Sequence, residues 1–394
     1  MKTPKIILPI IVLSQFCCTS LWFAGNGVIN DLVLNFNLSA SAVGNLTSAV
    51  QFGFILGTLI FAFLTITDRF SPSNVFFICG VIASVINLFI LIDKNTLFSL
   101  LTIRFFTGFF LAGIYPVGMK IAADYFEKGL EKSLGFLVGA LVLGTAFPHL
   151  LKGFSSNLPW RGVIIITSCI ALFGGVVMQL FVKDGPYRKK SDTFNLKTLY
   201  FVFKDKKFRT ASFGYFGHMW ELYAFWTFVP LIILTFNLKH PNQAINVSLF
   251  SFIIIAIGSI SCVFSGYIAQ KIGTKKTAST ALFLSCLCCL ASPLSFNFST
   301  LLFLLFLLFW GMVVIADSPL FSTLVAQNVD AKIKGTALTI VNCIGFSITI
   351  ISIQLLTLLK NNINPTLIYL FLAIGPMLGL AALIPKKNYT DAHY

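Results

Sequence analysis

KDGPYRKKSDTFNLKTLYFVFKDKKFR, residues 183–209, lies near the middle of a 394-residue chain and is its longest polar and basic stretch. Nine of its residues are Lys or Arg, and six long apolar runs lie on each side of it. A helix that crosses a bilayer takes about 20 apolar residues. The pattern therefore predicts an all-α integral membrane protein with two pseudo-symmetric bundles of six helices, residues 1–183 and 210–394, joined by a basic linker over residues 184–209.

The twelve apolar runs set the expected positions of the helices. They cover residues 6–29, 42–66, 74–93, 97–123, 134–151, 161–182, 210–236, 245–270, 275–295, 299–326, 335–359 and 364–385.

Composition excludes an ordinary soluble protein. Hydrophobic residues make up 57% of the chain and charged residues only 10%, against about 25% charged residues in soluble domains. The net charge of +15 would suggest nucleic-acid binding in a soluble protein, but basic residues of membrane proteins collect in cytoplasmic loops. The expected macromolecular environment is therefore a lipid bilayer, with no nucleic-acid partner.

The distribution of basic residues predicts the orientation of the chain. With a cytoplasmic N-terminus, 22 of the 28 Lys and Arg residues fall on the inner side, 5 on the outer side and one, Arg104, inside a span. This bias predicts a multi-pass protein of the bacterial inner membrane with both termini in the cytoplasm.

Neither a metal site nor an enzyme active site is expected. All nine cysteines lie in apolar stretches. The one cluster, Cys286, Cys288 and Cys289, lacks the histidines and the paired spacing of a zinc site. A phosphate-binding Gly-x-x-x-x-Gly-Lys-Ser/Thr loop and a Gly-x-Ser-x-Gly hydrolase turn are both missing from the sequence. We expect no metal, no cofactor and no enzymatic activity.

The two halves of the sequence carry similar residues at corresponding positions, at an offset of about 200 residues. Lys132 and Gly135 open span five as Lys332 and Gly335 open span eleven. Asp68 and Arg69 follow span two at the place where Gln270 and Lys271 follow span eight. Such duplication is typical of secondary transporters, which bind their cargo between the repeats.

The loop after span eight carries a recognisable motif. Gly266, Gln270, Lys271 and Gly273, followed by two lysines, resemble the signature loop of the major facilitator superfamily, with Gln270 in place of its acid. The copy after span two keeps Asp68 and Arg69 but has Leu64 and Ser71 at the glycine positions. The resemblance implies a gating role for both loops, whose alternative explanation is the bias of basic residues toward the cytoplasm.

Two further helices share features with this family. Span four carries Arg104, Gly108 and Gly113, which resemble an arginine and glycine motif associated with proton coupling. Span five carries Gly139, Gly144 and Pro148, which partly resemble the glycine-rich helix of the antiporters and imply a hinge. Close helix packing explains these glycines equally well.

Ionisable side chains inside the spans are the candidate coupling residues, because burial in a membrane is costly. His218 and Glu221 lie three residues apart on one face of span seven, and Asp317 lies in span ten. Helices one, four, seven and ten line the central cavity of the family, so the resemblance implies that these residues and Arg104 surround one space. The alternatives are that Arg104 pairs with an acid as a structural lock and that His218 only hydrogen-bonds a neighbouring helix.

Neutral polar and aromatic residues complete the candidate cargo site. They are Tyr215, Trp220 and Tyr223 in span seven and Gln15, Trp22 and Asn26 in span one.

These features predict a secondary transporter that moves a small organic solute by alternating access, coupled to protons as a symporter, with Arg104 favouring an anionic cargo. The family's usual state is a monomer. The partial motif of span five and the aromatic residues leave open proton-linked efflux of drug-like or siderophore-like compounds. A solute sensor on a transporter scaffold and a channel are the alternatives from other classes.

Overall fold

The computed structural model describes residues 6–39, 41–126, 130–154, 158–188, 202–330 and 333–384. Within these ranges the secondary structure is α-helix with short 3₁₀ turns and no β-strand. Most of the predicted linker, residues 189–201, lies outside the described residues, as do the two termini, residues 1–5 and 385–394.

Twelve helical segments, α1 to α12, follow one another within the described ranges. In the first half they are α1 (Ile7–Thr19, then Ala24–Gly27 and Ile29–Asn35), α2 (Ala42–Phe63), α3 (Pro72–Leu88), α4 (Leu97–Leu111 and Tyr115–Tyr125), α5 (Leu130–Phe154) and α6 (Trp160–Phe181). In the second half they are α7 (Lys206–Lys239), α8 (Val247–Ile272), α9 (Thr274–Ser295), α10 (Thr300–Ala316 and Ser318–Gln327), α11 (Lys334–Leu359) and α12 (3₁₀ turn Ile368–Ala373 and Ile374–Leu383).

The prediction of an all-α membrane fold is confirmed. In the described part of the chain, ten helices are long and apolar enough to cross a membrane, and α1 and α12 are shorter apolar helices. The sequence pattern treated α1 as one continuous helix over residues 6–29, whereas the structure breaks it after Thr19. Side-chain hydroxyls of Thr19 and Ser20 bond back to the carbonyls of Gln15 and Cys17, a contact that bends helices.

Breaks also divide α4 and α10, and they lie at matching places in the two halves. Pro116 and Pro319 each lie in the first turn of the second helical piece and are 203 positions apart. Because proline has no backbone N–H, it interrupts the hydrogen-bond ladder of the preceding turn. The duplication seen in the sequence thus extends to a repeated interruption of the helix.

The two halves pack through two helix pairs, α5 against α8 and α2 against α11. We call the end of the bundle where α1 begins and α12 ends the terminal end, and the opposite end the distal end. Between them lies a continuous buried core to which helices of both halves contribute. Many Phe, Leu and Ile side chains are exposed on the outer surface, as expected where lipid is the solvent.

Candidate functional site

A buried His–Asp pair lies at the break of α10. Asp317 separates the two helical pieces, and its carboxylate Oδ1 lies 2.7 Å from Nδ1 of His218 on α7. Both side chains are only 1% exposed. The His218 ring lies between Tyr215 and Phe321, with ring centroids 6.0 and 6.5 Å away. This pair joins the two helices that the sequence predicted to carry coupling groups.

The His218–Asp317 pair places a ring nitrogen and a carboxylate in contact inside the bundle. A buried carboxylate requires a partner to remain charged. Nε2 of His218 has no hydrogen-bond partner among the described residues. The pair therefore has one ring nitrogen at ion-pair distance from the acid and a second nitrogen without a partner among the described residues.

Glu221 faces away from this pair, toward α9 and α10. Its carboxylate accepts hydrogen bonds from Nε1 of Trp310 at 2.6 Å, from the hydroxyl of Ser285 and from Sγ of Cys289 at 3.2 Å. The spacing of three residues placed His218 and Glu221 on one face of α7. The structure instead pairs His218 with Asp317 and encloses Glu221 within the second half.

Arg104 lies inside the first half and supports the broken α1. Its guanidinium donates from Nη1 to the carbonyl of Leu21 at 3.0 Å and to Oδ1 of Asn87 at 3.3 Å, and from Nη2 to the carbonyl of Trp22. These carbonyls flank the break of α1, so the charge is stabilised by backbone dipoles. Arg104 therefore contacts backbone carbonyls and the Asn87 amide, and not an acid as the structural-lock alternative required. Asn87 in turn donates to Oγ of Ser168.

The four ionisable candidates are therefore held in three different environments. His218 and Asp317 meet each other, Glu221 bonds α9 and α10, and Arg104 bonds α1 and α3. The structure thus brings two of the four together, not all four around one space.

Aromatic rings fill the contact between the halves near the middle of the helices. Trp22 of α1 stacks on Tyr223 of α7 and on Phe346 of α11, each with centroids 5.8 Å apart. Phe54 of α2 lies 4.6 Å from Phe346, and Phe23 packs edge-on against Trp226. We call these six residues the aromatic cluster. The sequence pointed to Trp22 and Tyr223, whereas Phe54 and Phe346 carried no signal among 43 Phe residues.

Unpaired polar atoms accompany the aromatic cluster. Both amide atoms of Gln51 on α2 and Nε1 of Trp22 and of Trp226 are buried without a hydrogen-bond partner among the described residues. Each such group costs about 1 to 3 kcal/mol relative to a hydrogen-bonded one. The closed packing of the cluster therefore leaves polar groups that a second conformation or a bound solute can satisfy.

The distal end of the interface is closed. Gln354 of α11 donates to Oγ of Ser48 at 2.9 Å and to Oδ1 of Asn45 at 3.3 Å, both on α2. Asn246, just before α8, donates to the carbonyl of Gly153 of α5 at 3.3 Å. Backbones approach so closely here that a Cβ added at Gly153 would lie 2.5 Å from the backbone nitrogen of Leu249.

The halves separate toward the terminal end. Along α5, an added Cβ would lie 3.3 Å from the Ser259 carbonyl at Gly139, but 4.0 Å from its nearest neighbour at Gly135. At Gly335, near the start of α11, it would meet nothing within 4 Å. Among these positions the halves are thus in closest contact at the distal end and less closely packed toward the terminal end.

Comparison with known proteins places this geometry in a family. The family model of the Major Facilitator Superfamily matches residues 11–353. The chain belongs to the major facilitator superfamily. It is accordingly a multi-pass membrane protein of a transporter family, as the motif after span eight suggested. No curated protein sequence matches the chain.

Solved structures of this superfamily share the fold. A mutant of the nucleoside transporter NupG has a TM-score of 0.72 and 16% identity, covering 96% of this chain and 98% of its own. A bacterial homologue of the human lysosomal transporter Spinster, inward-facing and unoccupied, has a TM-score of 0.70 and 15% identity, covering 97% and 95%. Its inward-facing, occupied form has a TM-score of 0.66, 15% identity and coverage of 96% and 93%.

The two superfamily signature loops have different local structures. In the first, Asp68 pairs with Lys120 of α4, and Arg69 donates from Nε to Oγ1 of Thr65 at 3.2 Å. Thr65 has a φ of +48°, so this turn uses the left-handed region without the glycine of the signature. Here the loop ties α2 to α4 within the first half.

The second loop keeps the glycine where the backbone needs one. Gly273 has a φ of +94° and joins α8 directly to α9. Gln270 and Lys271 are exposed, and a Cβ added at Gly266 or Gly273 would meet nothing within 4 Å. In this conformation these predicted gating residues face open space.

The remaining predicted cargo residues lie at several depths within each half. Tyr215 donates to Oδ1 of Asn342 at 2.9 Å, and Trp220 donates to the Phe371 carbonyl of α12 at 3.0 Å. Trp220 therefore faces α12 and not the other half. Asn26 donates to Oγ1 of Thr47 at 2.7 Å. Gln15 is buried with its amide unpaired among the described residues.

The predicted hinge residues of α5 make close contacts with two helices. A Cβ at Gly144 would lie 2.1 Å from Oγ1 of Thr19 on α1, and Gly139 faces α8 of the other half. Pro148 lies within the helix and packs against Gly27 of α1. Close packing of α1 on α5 thus accounts for Gly144, while Gly139 lies at the interface between the two halves.

Proposed function

We propose that this protein is a proton-coupled secondary transporter of a small organic solute, and that His218 and Asp317 carry the coupling proton. The buried contact between these side chains, at the break of α10, is the observation that carries the proposal. The division into residues 1–183, a linker over residues 184–209 and residues 210–394 belongs to the same proposal, with each half moving as a unit and the monomer as the working form.

The conformation then corresponds to an inward-facing state. Most Lys and Arg residues of the sequence lie on the side of the terminal end, which we assign to the cytoplasm of a bacterial inner membrane. The open terminal end and the closed distal end support this assignment. Transport requires the opposite state, in which the distal hydrogen bonds and the aromatic cluster separate.

The proton step follows from the surroundings of the pair. A proton bound by the pair cancels the net negative charge, either as an ion pair with the proton on His218 or as two neutral groups with the proton on Asp317, whereas its release leaves a buried carboxylate without a counter-charge. Because Asp317 occupies a helix break, a change in its contact with α7 can alter how the two pieces of α10 pack. Protonation is thereby linked to the helix packing that differs between the inward-facing state and the opposite state.

A neutral solute with a ring fits the interface better than an anion. Arg104 is the residue that favoured an anionic cargo, but its guanidinium already donates hydrogen bonds to carbonyls of α1 and to Asn87. The aromatic cluster offers faces for stacking, and Gln51 and Trp22 offer unpaired hydrogen-bonding groups. The shared fold with a nucleoside transporter, whose cargo has this chemistry, supports the choice.

Proteoliposomes that contain a pH-sensitive dye test the coupling. Nucleosides, sugars, amino acids, organic acids and drug-like compounds are added in turn, and both solute flux and proton flux are recorded. We expect one class to move protons. In Asp317→Asn we expect proton flux to fall at least tenfold while exchange of labelled solute across the membrane continues.

Glu221→Gln is the matched control, because Glu221 is another buried acid of the second half that bonds only α9 and α10 among the described residues. Coupled flux that survives in Glu221→Gln and is lost in Asp317→Asn supports the proposal that His218 and Asp317 carry the coupling proton. Unchanged proton flux in Asp317→Asn rejects it, and loss in Glu221→Gln alone transfers the role to Glu221. Solute binding without any flux would identify a sensor.

A further inference from the structure

A basic cleft opens at the terminal end of the second half. It has a volume of about 620 Å³ and lies between the first turns of α7 and α9 and the last turns of α10 and α12. Its rim carries four bases and no acid: Lys206, Lys207, Arg209 and Lys275. A second cleft of about 790 Å³, lined by the start of α9, adjoins it and shares Lys275.

The bases of this cleft have few partners among the residues that the structure describes. Lys206, Lys207 and Lys275 make neither an ion pair nor a hydrogen bond with the described residues, and Arg209 donates only to the Phe203 carbonyl, at 3.2 Å. The neighbouring acid, Asp205, accepts from the backbone N–H of Phe208 as the cap of α7. Within the described ranges, no acid pairs with the four bases of the cleft.

The first half treats the same end of the bundle differently. There Lys120 pairs with Asp68, and directly after the first half Arg188 pairs with Asp184. These two bases have acidic partners, whereas the four bases of the cleft have none among the described residues. The N-termini of α7 and α9 add partial positive charge to the cleft, which favours an anion.

Apolar side chains lie beside the bases and are accessible from outside the bundle. Phe213 is 46% exposed and Ile384 is 67% exposed, and both line the cleft. A free anion gains nothing from such a wall, whereas a lipid places its phosphate among the bases and its acyl chains against the apolar residues. The basic rim and the apolar side chains together indicate an occupant that has both a phosphate group and acyl chains.

We propose that this cleft binds the headgroup of an anionic phospholipid from the leaflet at the terminal end. The phosphate lies among Lys206, Lys207, Arg209 and Lys275, and the first acyl carbons contact Phe213 and Ile384. The occupant bridges the ends of α7, α9, α10 and α12. The site is separate from the His218–Asp317 pair and does not depend on the cargo or on proton coupling.

Native mass spectrometry of the purified full-length chain tests this site. The protein in detergent is titrated with phosphatidylglycerol or with phosphatidylcholine of the same acyl chains, and bound lipids are counted. Each base near an anionic lipid strengthens binding about fivefold. We therefore expect Lys207→Gln/Lys275→Gln to weaken the tightest phosphatidylglycerol site by roughly 30-fold and to leave phosphatidylcholine binding unchanged.

Lys334→Gln/Lys94→Gln is the matched control, since it removes the same charge from exposed positions outside the cleft. Lys206→Gln/Arg209→Gln is a second cleft variant, and it should reproduce the loss if the first variant proves unstable. Equal weakening by the control, or no weakening by both cleft variants, would overturn the proposal. Inorganic phosphate that displaces phosphatidylglycerol at millimolar concentration would assign the site to a free anion and also overturn it.

Discussion

Replacing Gly44 with alanine should push the protein out of the observed conformation. Gly44 lies in α2 at the closed distal end, and a Cβ there would lie 2.0 Å from Oγ1 of Thr357 on α11. That hydroxyl cannot turn away freely, because it donates to the Ile353 carbonyl at 2.7 Å. The added methyl group must therefore either break this bond or separate α2 from α11.

The expected size follows from these two contacts. Breaking the Thr357 hydrogen bond costs about 1 kcal/mol, and forcing a methyl group into a packed contact costs about 1 to 3 kcal/mol. Because the distal ends separate in the opposite state, only the closed state pays this cost. The ratio of closed to open molecules should fall roughly 5- to 150-fold.

Spin labels on the distal loops measure this ratio through electron–electron distances. Cys169 is the one exposed cysteine and is replaced by serine, while the other eight are buried. Labels at Lys94→Cys in the first half and Lys239→Cys in the second report the distal separation. We expect a single short distance in the parent and an added longer distance in Gly44→Ala.

Gly335→Ala is the control for this experiment. It makes the same change at the open end, where the new Cβ meets nothing within 4 Å, so the distance distribution should stay as in the parent. If Gly44→Ala leaves the distribution unchanged, or if both variants shift it equally, the closed distal contact does not set the conformation and the reasoning fails.

Two further predictions concern buried hydrogen bonds. Arg104→Gln removes the donors to the Leu21 and Trp22 carbonyls at the break of α1. The Leu21 carbonyl still accepts from the N–H of Ala24, so that one buried carbonyl is left unpaired, at a cost of about 1 to 3 kcal/mol. Thermal unfolding in detergent measures this loss, and a midpoint equal to the parent's would show that α1 does not need the guanidinium. Trp310→Phe removes the indole N–H that donates to Glu221 and should lower the free energy of unfolding by about 1.5 to 3 kcal/mol. Trp226→Phe is its control, because it removes an N–H without a described partner, and it should cost less than half as much. Equal losses in the two variants would reject the assignment of the Glu221 contact.

The sequence was sufficient for the helices and the family. Apolar runs, a basic middle stretch and the loop around Gly273 predicted twelve segments and the superfamily, and both are confirmed. These features depend on local composition and short spacing. Pro116 and Pro319 were visible in the sequence as well, yet their effect on α4 and α10 became clear only once the helices were seen as interrupted.

The partners of the buried charges could not be predicted, because they depend on how helices rotate against each other. The spacing of His218 and Glu221 defines a shared face, but Asp317 contacts one and Ser285 and Trp310 contact the other. Arg104 was expected to line the central cavity, with an ion pair to an acid as the alternative, and no sequence rule indicates that a broken helix supplies carbonyls instead. Tertiary packing decides these contacts.

The distal closure consists of amide and hydroxyl contacts and aromatic stacking. Gln354, Ser48, Asn246 and the aromatic cluster are neutral, and no ion pair joins the two halves within the part of the chain that the structure describes. Dissolved ions screen charged pairs but leave neutral contacts nearly unaffected. The balance between the closed and open distal end should therefore hardly vary with ionic strength, so that the protein can work unchanged in dilute and in saline surroundings.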